Sequence, residues 1–148
     1  MNVFPLFIAP KRRVDRVFIH CSASDNPKHD DVSIIRQWHL ARKPPFVDVG
    51  YHFFIKLDGS IQAGRNIEIT PAAQEGNNAN TIAICCAGLS AFTNEQFNSL
   101  RVLCNSIQCA IPQVTFHGHC EVNARKTCPV FDYKKVLRLD AAGRMPAL

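Results

Sequence analysis

The run Thr81 to Gly88, TIAICCAG, most narrows what this chain can become. It holds no charge and shows no alternation of polar and apolar residues. A short run of this kind suits a central strand buried on both faces. Such a strand needs a covering layer on each side, and the remaining chain has patterns that can supply one.

Strand character ends the segment Val14–His20, in Val17, Phe18, Ile19 and His20. A polar loop, CSASDNPKHD, follows, with Asp30 or Asp31 as helix cap. Residues 32–42 read as a helix. Val32, Ile35 and His39 form one stripe, with Ile34, Trp38 and Ala41 beside it, so Trp38 reads as core. Pro44-Pro45 stops that helix. Residues 51–57 read as a strand with Tyr51, Phe53, Ile55 and Leu57 on one face. Asp58-Gly59 signals a hairpin turn into a return strand at 60–63. Residues 70–80 read as a loop. Thr93 and Gln96 have capping-box spacing. The helix behind them carries Phe97, Leu100, Cys104, Ile107 and Ile111 in helical register. Val114–His117 reads as a further strand, 118–131 as a loop, and 132–139 as a short helix. The expectation is α/β: a mixed central β-sheet flanked by helices. One domain spans 1–148, with its core at about 14–139 and a loose tail at 140–148.

Size and composition agree with that picture. A chain of 148 residues, 47% apolar and 20% charged, can bury its own core and is neither disordered nor fibrous. The formal charge of +5 favours an anionic partner without choosing one. No basic motif with interleaved aromatics appears, so no nucleic-acid partner is expected. Seven cysteines, two of them adjacent, do not resemble a secreted disulfide framework. They suit a reducing compartment, with most thiols acting as small apolar groups. The opening MNVFPLFIAP is interrupted by Pro5 and precedes its basic cluster, the reverse of a signal peptide. No apolar run approaches the roughly 20 residues of a membrane span.

Unusual polar residues gather in two places. One is His20-Cys21-Ser22, where an apolar strand ends. The other is His117-Gly118-His119-Cys120-Glu121, followed by Lys126-Thr127-Cys128-Pro129. Histidine and cysteine are preferred zinc ligands, and loops beyond strand ends can converge. Spacing alone chooses neither between His117 and His119 nor among Cys21, Cys120 and Cys128. The spacings do not match zinc-finger forms, and no glutamate sits as in an HExxH protease.

Five segments occur in a telling order: IHCSAS at 19–24, IRQWH at 35–39, DVGYHFFIKLDGSIQAGR at 48–65, NTIAIC at 80–85, and HCEVNARKTCPVFD at 119–132. Together they resemble the zinc-dependent N-acetylmuramoyl-L-alanine amidases of the type 2 amidase and peptidoglycan-recognition superfamily. Within it they are similar to the small lysozyme-named endolysins of T-odd coliphages. The resemblance implies a Zn²⁺ ion held by His20, His119 and Cys128. It implies catalytic roles for Tyr51 and Lys126, with His117 structural and Glu121 orienting a ligand histidine. It implies hydrolysis of the amide between N-acetylmuramic acid and L-alanine in bacterial peptidoglycan, by a monomer. The enzyme would be made in the host cytoplasm and reach the wall through a membrane lesion, with no separate wall-binding module. The alternative is a non-catalytic peptidoglycan-binding module of the same fold. One departure stands out. Where the family pattern reads Gly-Ser/Ala-His-Ala, this chain has Pro71-Ala72-Ala73-Gln74, so Ala73 replaces a histidine.

Overall fold

The computed structural model describes residues 7–147. Residues 1–6, which carry most of the apolar start, and Leu148 lie outside them. Five strands form one sheet: Arg16–Cys21 (β1), Phe53–Ile55 (β2), Ile61–Ala63 (β3), Thr81–Cys86 (β4) and Thr115–Gly118 (β5). Three helices accompany it: Val32–Leu40 (α1), Asn94–Ala110 (α2) and Tyr133–Leu137 (α3). The strand order is β3-β2-β4-β1-β5. β1 is parallel to β4 and β5, β2 is parallel to β4, and β3 is antiparallel to β2. The sheet is therefore mixed, as the sequence predicts.

β4 occupies the middle, and all six of its residues are buried. Ile82, Ile84 and Cys86 join Val17, Ile19 and Phe116 on one face, under Leu100, Cys104 and Ile107 of α2 and Leu137 of α3. Cys85 lies on the opposite face with Phe54, beneath Val32 and Ile35 of α1. The adjacent cysteines thus enter different cores, and burial raises both thiol pKa values. Neither is a thiolate at neutral pH, which fits their reading as apolar filler.

Polar side chains fix the helices to this sheet. Asp31 caps α1 by accepting from Ser33 N at 2.9 Å, while Asp30 accepts from Leu57 N at 3.0 Å. Thr93 and Gln96 complete the capping box of α2. Gln96 is fully buried, and its amide donates to Ala87 O at 2.7 Å and Ile55 O at 3.2 Å. One side chain thereby ties the start of α2 to the ends of β2 and β4. In the hairpin between β2 and β3, Gly59 has φ +89°, the left-handed conformation that Asp58-Gly59 predicts.

The structure corrects several expectations. The tail is not loose over its described part. Gly143 O accepts from Phe116 N at 2.8 Å, Gln108 clamps the Met145 backbone at 3.0 Å on both sides, and the Met145 side chain is buried. The reason is the free edge of β5, whose unpaired backbone needs a partner. Trp38 is not core. It is 40% exposed and meets the His29 ring edge-on, with centroids 4.7 Å apart. Tyr51, Phe53, Ile55 and Leu57 do not share a face. Phe53 and Ile55 pack toward α2, whereas Tyr51 and Leu57 pack on the α1 side. Regular pairing covers only residues 53–55, so period-2 alternation fails on either side of it. Finally, α1 ends at Leu40, before the prolines. His39 O then accepts from Arg42 N and Phe46 N.

Replacing Gln96 with Leu leaves Ala87 O and Thr93 N without their side-chain partners. The expected cost is about 1–3 kcal/mol. It should appear as a lower urea midpoint at unchanged m-value.

Candidate metal centre

Because β1, β4 and β5 are parallel, their carboxyl ends lie along one edge of the sheet. Loops leaving such an edge are where an open α/β sheet builds its sites. His20 stands near the end of β1, in register with Cys85 of β4. Val17 and Ile19 alternate toward α2, so His20 faces the α1 side. β5 stops at Gly118, and a 3₁₀ turn over His119–Glu121 brings His119 to His20, with ring centroids 4.7 Å apart. Cys120 N donates to Cys128 O at 3.0 Å, which fastens this turn to the Cys128 segment. Cys21 N lies 2.9 Å from Cys128 Sγ and donates to it. The ligand atoms of His20, His119 and Cys128 all fall within 4.8 Å of one another. No other such group of three occurs among the described residues.

These three are the residues the resemblance implies. His117 and Cys120, which spacing alone leaves open, stay outside the group. His117 belongs to a bracing network: its Nε2 meets Thr115 Oγ1 at 2.6 Å and its Nδ1 meets Glu121 Oε1 at 3.1 Å. Glu121 also accepts from Gly118 N at 2.8 Å and from the Tyr133 hydroxyl. Glu121 therefore shapes the turn that carries His119 and does not touch the His119 ring through any of these bonds. Gly118 is required at this point. A Cβ there would come within 2.6 Å of the Tyr133 ring.

The electrostatics suit a cation. Burial pushes His20 down to about 3, and burial plus the nearby Lys126 charge lowers His119. Both imidazoles are neutral at pH 7 and keep a lone pair for a metal. Hydrogen bonding between the two thiols lowers Cys21, to about 7, while the same bond and burial raise Cys128. Two neutral imidazoles and a thiol that a bound cation would deprotonate form a nitrogen–sulfur donor set of the type zinc prefers, so the residues fit this ion.

The group floors a cleft of about 810 Å³. Tyr51 lines it, with its ring 5.2 Å from that of His20 and 5.4 Å from that of His39. Burial raises the Tyr51 pKa well above its ordinary value, so its hydroxyl stays protonated. Lys126 lines the same cleft from a tight turn in which its N–H donates to Asn123 O at 3.0 Å. Arg42, Lys43, Arg125 and Lys126 line the cleft with a single acid, Glu75, which makes it basic.

Two residues here escape the sequence-based reading. His39 falls on the core stripe of α1, yet it lines the cleft. Its Nδ1 accepts from Gly50 N at 2.7 Å, and burial lowers it to about 4. Gln74 is completely buried and lies 2.8 Å from His20 Nε2. Its one sequence signal is its place beside Ala73, as a polar residue where the family pattern has alanine.

Known proteins resemble this chain over most of its length. The family model for N-acetylmuramoyl-L-alanine amidase matches residues 10–131. The endolysin of Escherichia phage T7 is 36% identical over 133 residues, covering 84% of this chain and 86% of that protein. The endolysin of Klebsiella phage KP32 is 32% identical over 133 residues, with the same two coverages. Among solved structures, the amidase LysC from Clostridium intestinale URNW superposes with a TM-score of 0.77 at 22% identity, over 93% of each chain. Apis mellifera PGRP-SA superposes with a TM-score of 0.71 at 23% identity, over 99% of this chain and 95% of that one. The chain belongs to the N-acetylmuramoyl-L-alanine amidase family.

Proposed function

We propose that this chain is a zinc-dependent N-acetylmuramoyl-L-alanine amidase acting as a phage endolysin. Its substrate is bacterial peptidoglycan, and it separates glycan from stem peptide at the amide between N-acetylmuramic acid and L-alanine. The observation that carries the reading is the juxtaposition of His20, His119 and Cys128 on the floor of the cleft that Tyr51 and Lys126 line. The basic rim suits an anionic wall polymer.

Zinc, when bound by His20, His119 and Cys128, supplies Lewis acidity and an acidified attacking water. The chain's own groups do the rest. The Lys126 ammonium donates to the oxyanion that develops on the scissile carbonyl. The Tyr51 hydroxyl, held protonated by its burial, donates to the same oxygen. The proton for the leaving amine passes from Tyr51 or from water beside it. Neutral His20 and His119 serve as ligands rather than acids.

No helix of the described residues is long and apolar enough to cross a membrane. In this reading the enzyme is made in the host cytoplasm, works as a monomer, and reaches the wall once the membrane is breached.

The test is digestion of purified peptidoglycan by zinc-loaded protein. Release of L-alanine amino groups without new reducing ends is the expected result. New reducing ends would mean glycan cleavage, and binding without release would mean a recognition module. Cys128→Ala should lose zinc, measured by elemental analysis, together with activity. Lys126→Ala and Tyr51→Phe should each keep stoichiometric zinc and lower kcat by roughly 100-fold. Wild-type kcat in either variant would remove that residue from the machinery.

A further inference from the structure

The loop before β4 departs from the family pattern at Pro71, Ala73 and Gln74, and the last of these meets His20. Gln74 is fully buried, as is His20. Its Oε1 lies 2.8 Å from His20 Nε2. Its amide nitrogen lies 2.7 Å from Thr81 Oγ1 and 3.3 Å from Asn77 O.

These contacts leave one consistent assignment of protons. Asn77 O is a carbonyl and only accepts, so the Gln74 nitrogen must face it. Thr81 Oγ1 donates its proton to Asn78 O at 2.8 Å and is free to accept from the same nitrogen. The Gln74 oxygen is then left for His20, and that ring nitrogen must donate. His20 is thereby held with its proton on Nε2, and Nδ1 carries the lone pair.

The loop is built to keep this amide in place. Asn78 Oδ1 accepts from Ala73 N at 3.0 Å and Gln74 N at 2.9 Å. Ala72 N donates to Gly50 O at 3.1 Å, and a Cβ on Gly50 would lie 2.0 Å from Ala72 O. The backbone at 72 can approach the Gly50–Tyr51 segment this closely only because residue 50 is glycine.

We infer that Gln74 is a positioning residue for the metal centre: it fixes the His20 tautomer and ring orientation, and so sets metal affinity. This inference rests on the zinc-centre reading above. A ligand histidine that loses the partner of its other nitrogen must reorient or sample the wrong tautomer, which typically weakens metal binding 10–100-fold.

Zinc competition against a chromophoric chelator tests this on the metal-free full chain. The variants are Gln74→Leu, Gln74→Glu and, as reference, Cys128→Ala. Gln74→Leu should bind zinc about 10–100-fold more weakly. In nitrogen-15 NMR of the metal-free protein, His20 should be protonated at Nε2 in the wild type and lose that preference in Gln74→Leu. Gln74→Glu keeps an acceptor for His20 while losing the amide donor to Thr81 and Asn77. It should recover wild-type affinity or better. If Gln74→Glu loses as much affinity as Gln74→Leu, Gln74 serves only as loop scaffold and the inference falls. It falls equally if Gln74→Leu keeps wild-type affinity and the Nε2–H tautomer. Wild-type zinc affinity in Cys128→Ala would instead sink the metal-centre reading itself.

Discussion

Parallel pairing of β1 with β4 is the constraint from which the site follows. It sets His20 opposite Cys85 and places the carboxyl ends of β1, β4 and β5 along one edge. Residue alternation along β1 then divides the labour. Val17 and Ile19 enter the core under α2, and His20 turns to the face that α1 covers. A buried histidine at a strand end is costly unless both of its nitrogens are used. Here Gln74 meets one, and the other is available to a cation.

The rest of the candidate site is assembled around that histidine by loop hydrogen bonds. Glu121, His117 and Tyr133 shape the turn that delivers His119, although none of them reaches a ligand ring by the hydrogen bonds they make. Cys120 N and Cys21 N hold the Cys128 segment from two sides. The strand framework therefore fixes His20, and loop hydrogen bonds fix His119 and Cys128. Tyr51 owes its position to the break in alternation at the start of β2, which turns it to the α1 side and away from Phe53.

Much of this was legible in the residues. The uninterrupted apolar run of β4, the capping box of α2 and the Asp58-Gly59 turn each state their geometry locally, and each was readable. The grouping of His20, His119 and Cys128, and the place of Tyr51 and Lys126 beside it, were implied only by the motif resemblance, because spacing along the chain does not report which loops meet. Gln74 and the tail clamp were not readable. A glutamine in a polar loop has no periodicity, and its burial depends on a histidine 54 positions earlier. Met145 is likewise buried by the edge of β5, a tertiary demand that no local pattern announces. Trp38 misled for the opposite reason. It lies on an apolar stripe, but α1 covers the sheet mainly through Val32 and Ile35.

The Cys21–Cys128 contact joins residues 107 positions apart. During synthesis His20 leaves the ribosome early and Cys128 very late. Between those moments no nascent chain holds the full donor set, and loop closure over that span must precede any ion being enclosed. A fragment that stops short of residue 128 lacks part of the candidate donor set. Assembly of the cleft floor therefore waits until nearly the whole chain exists.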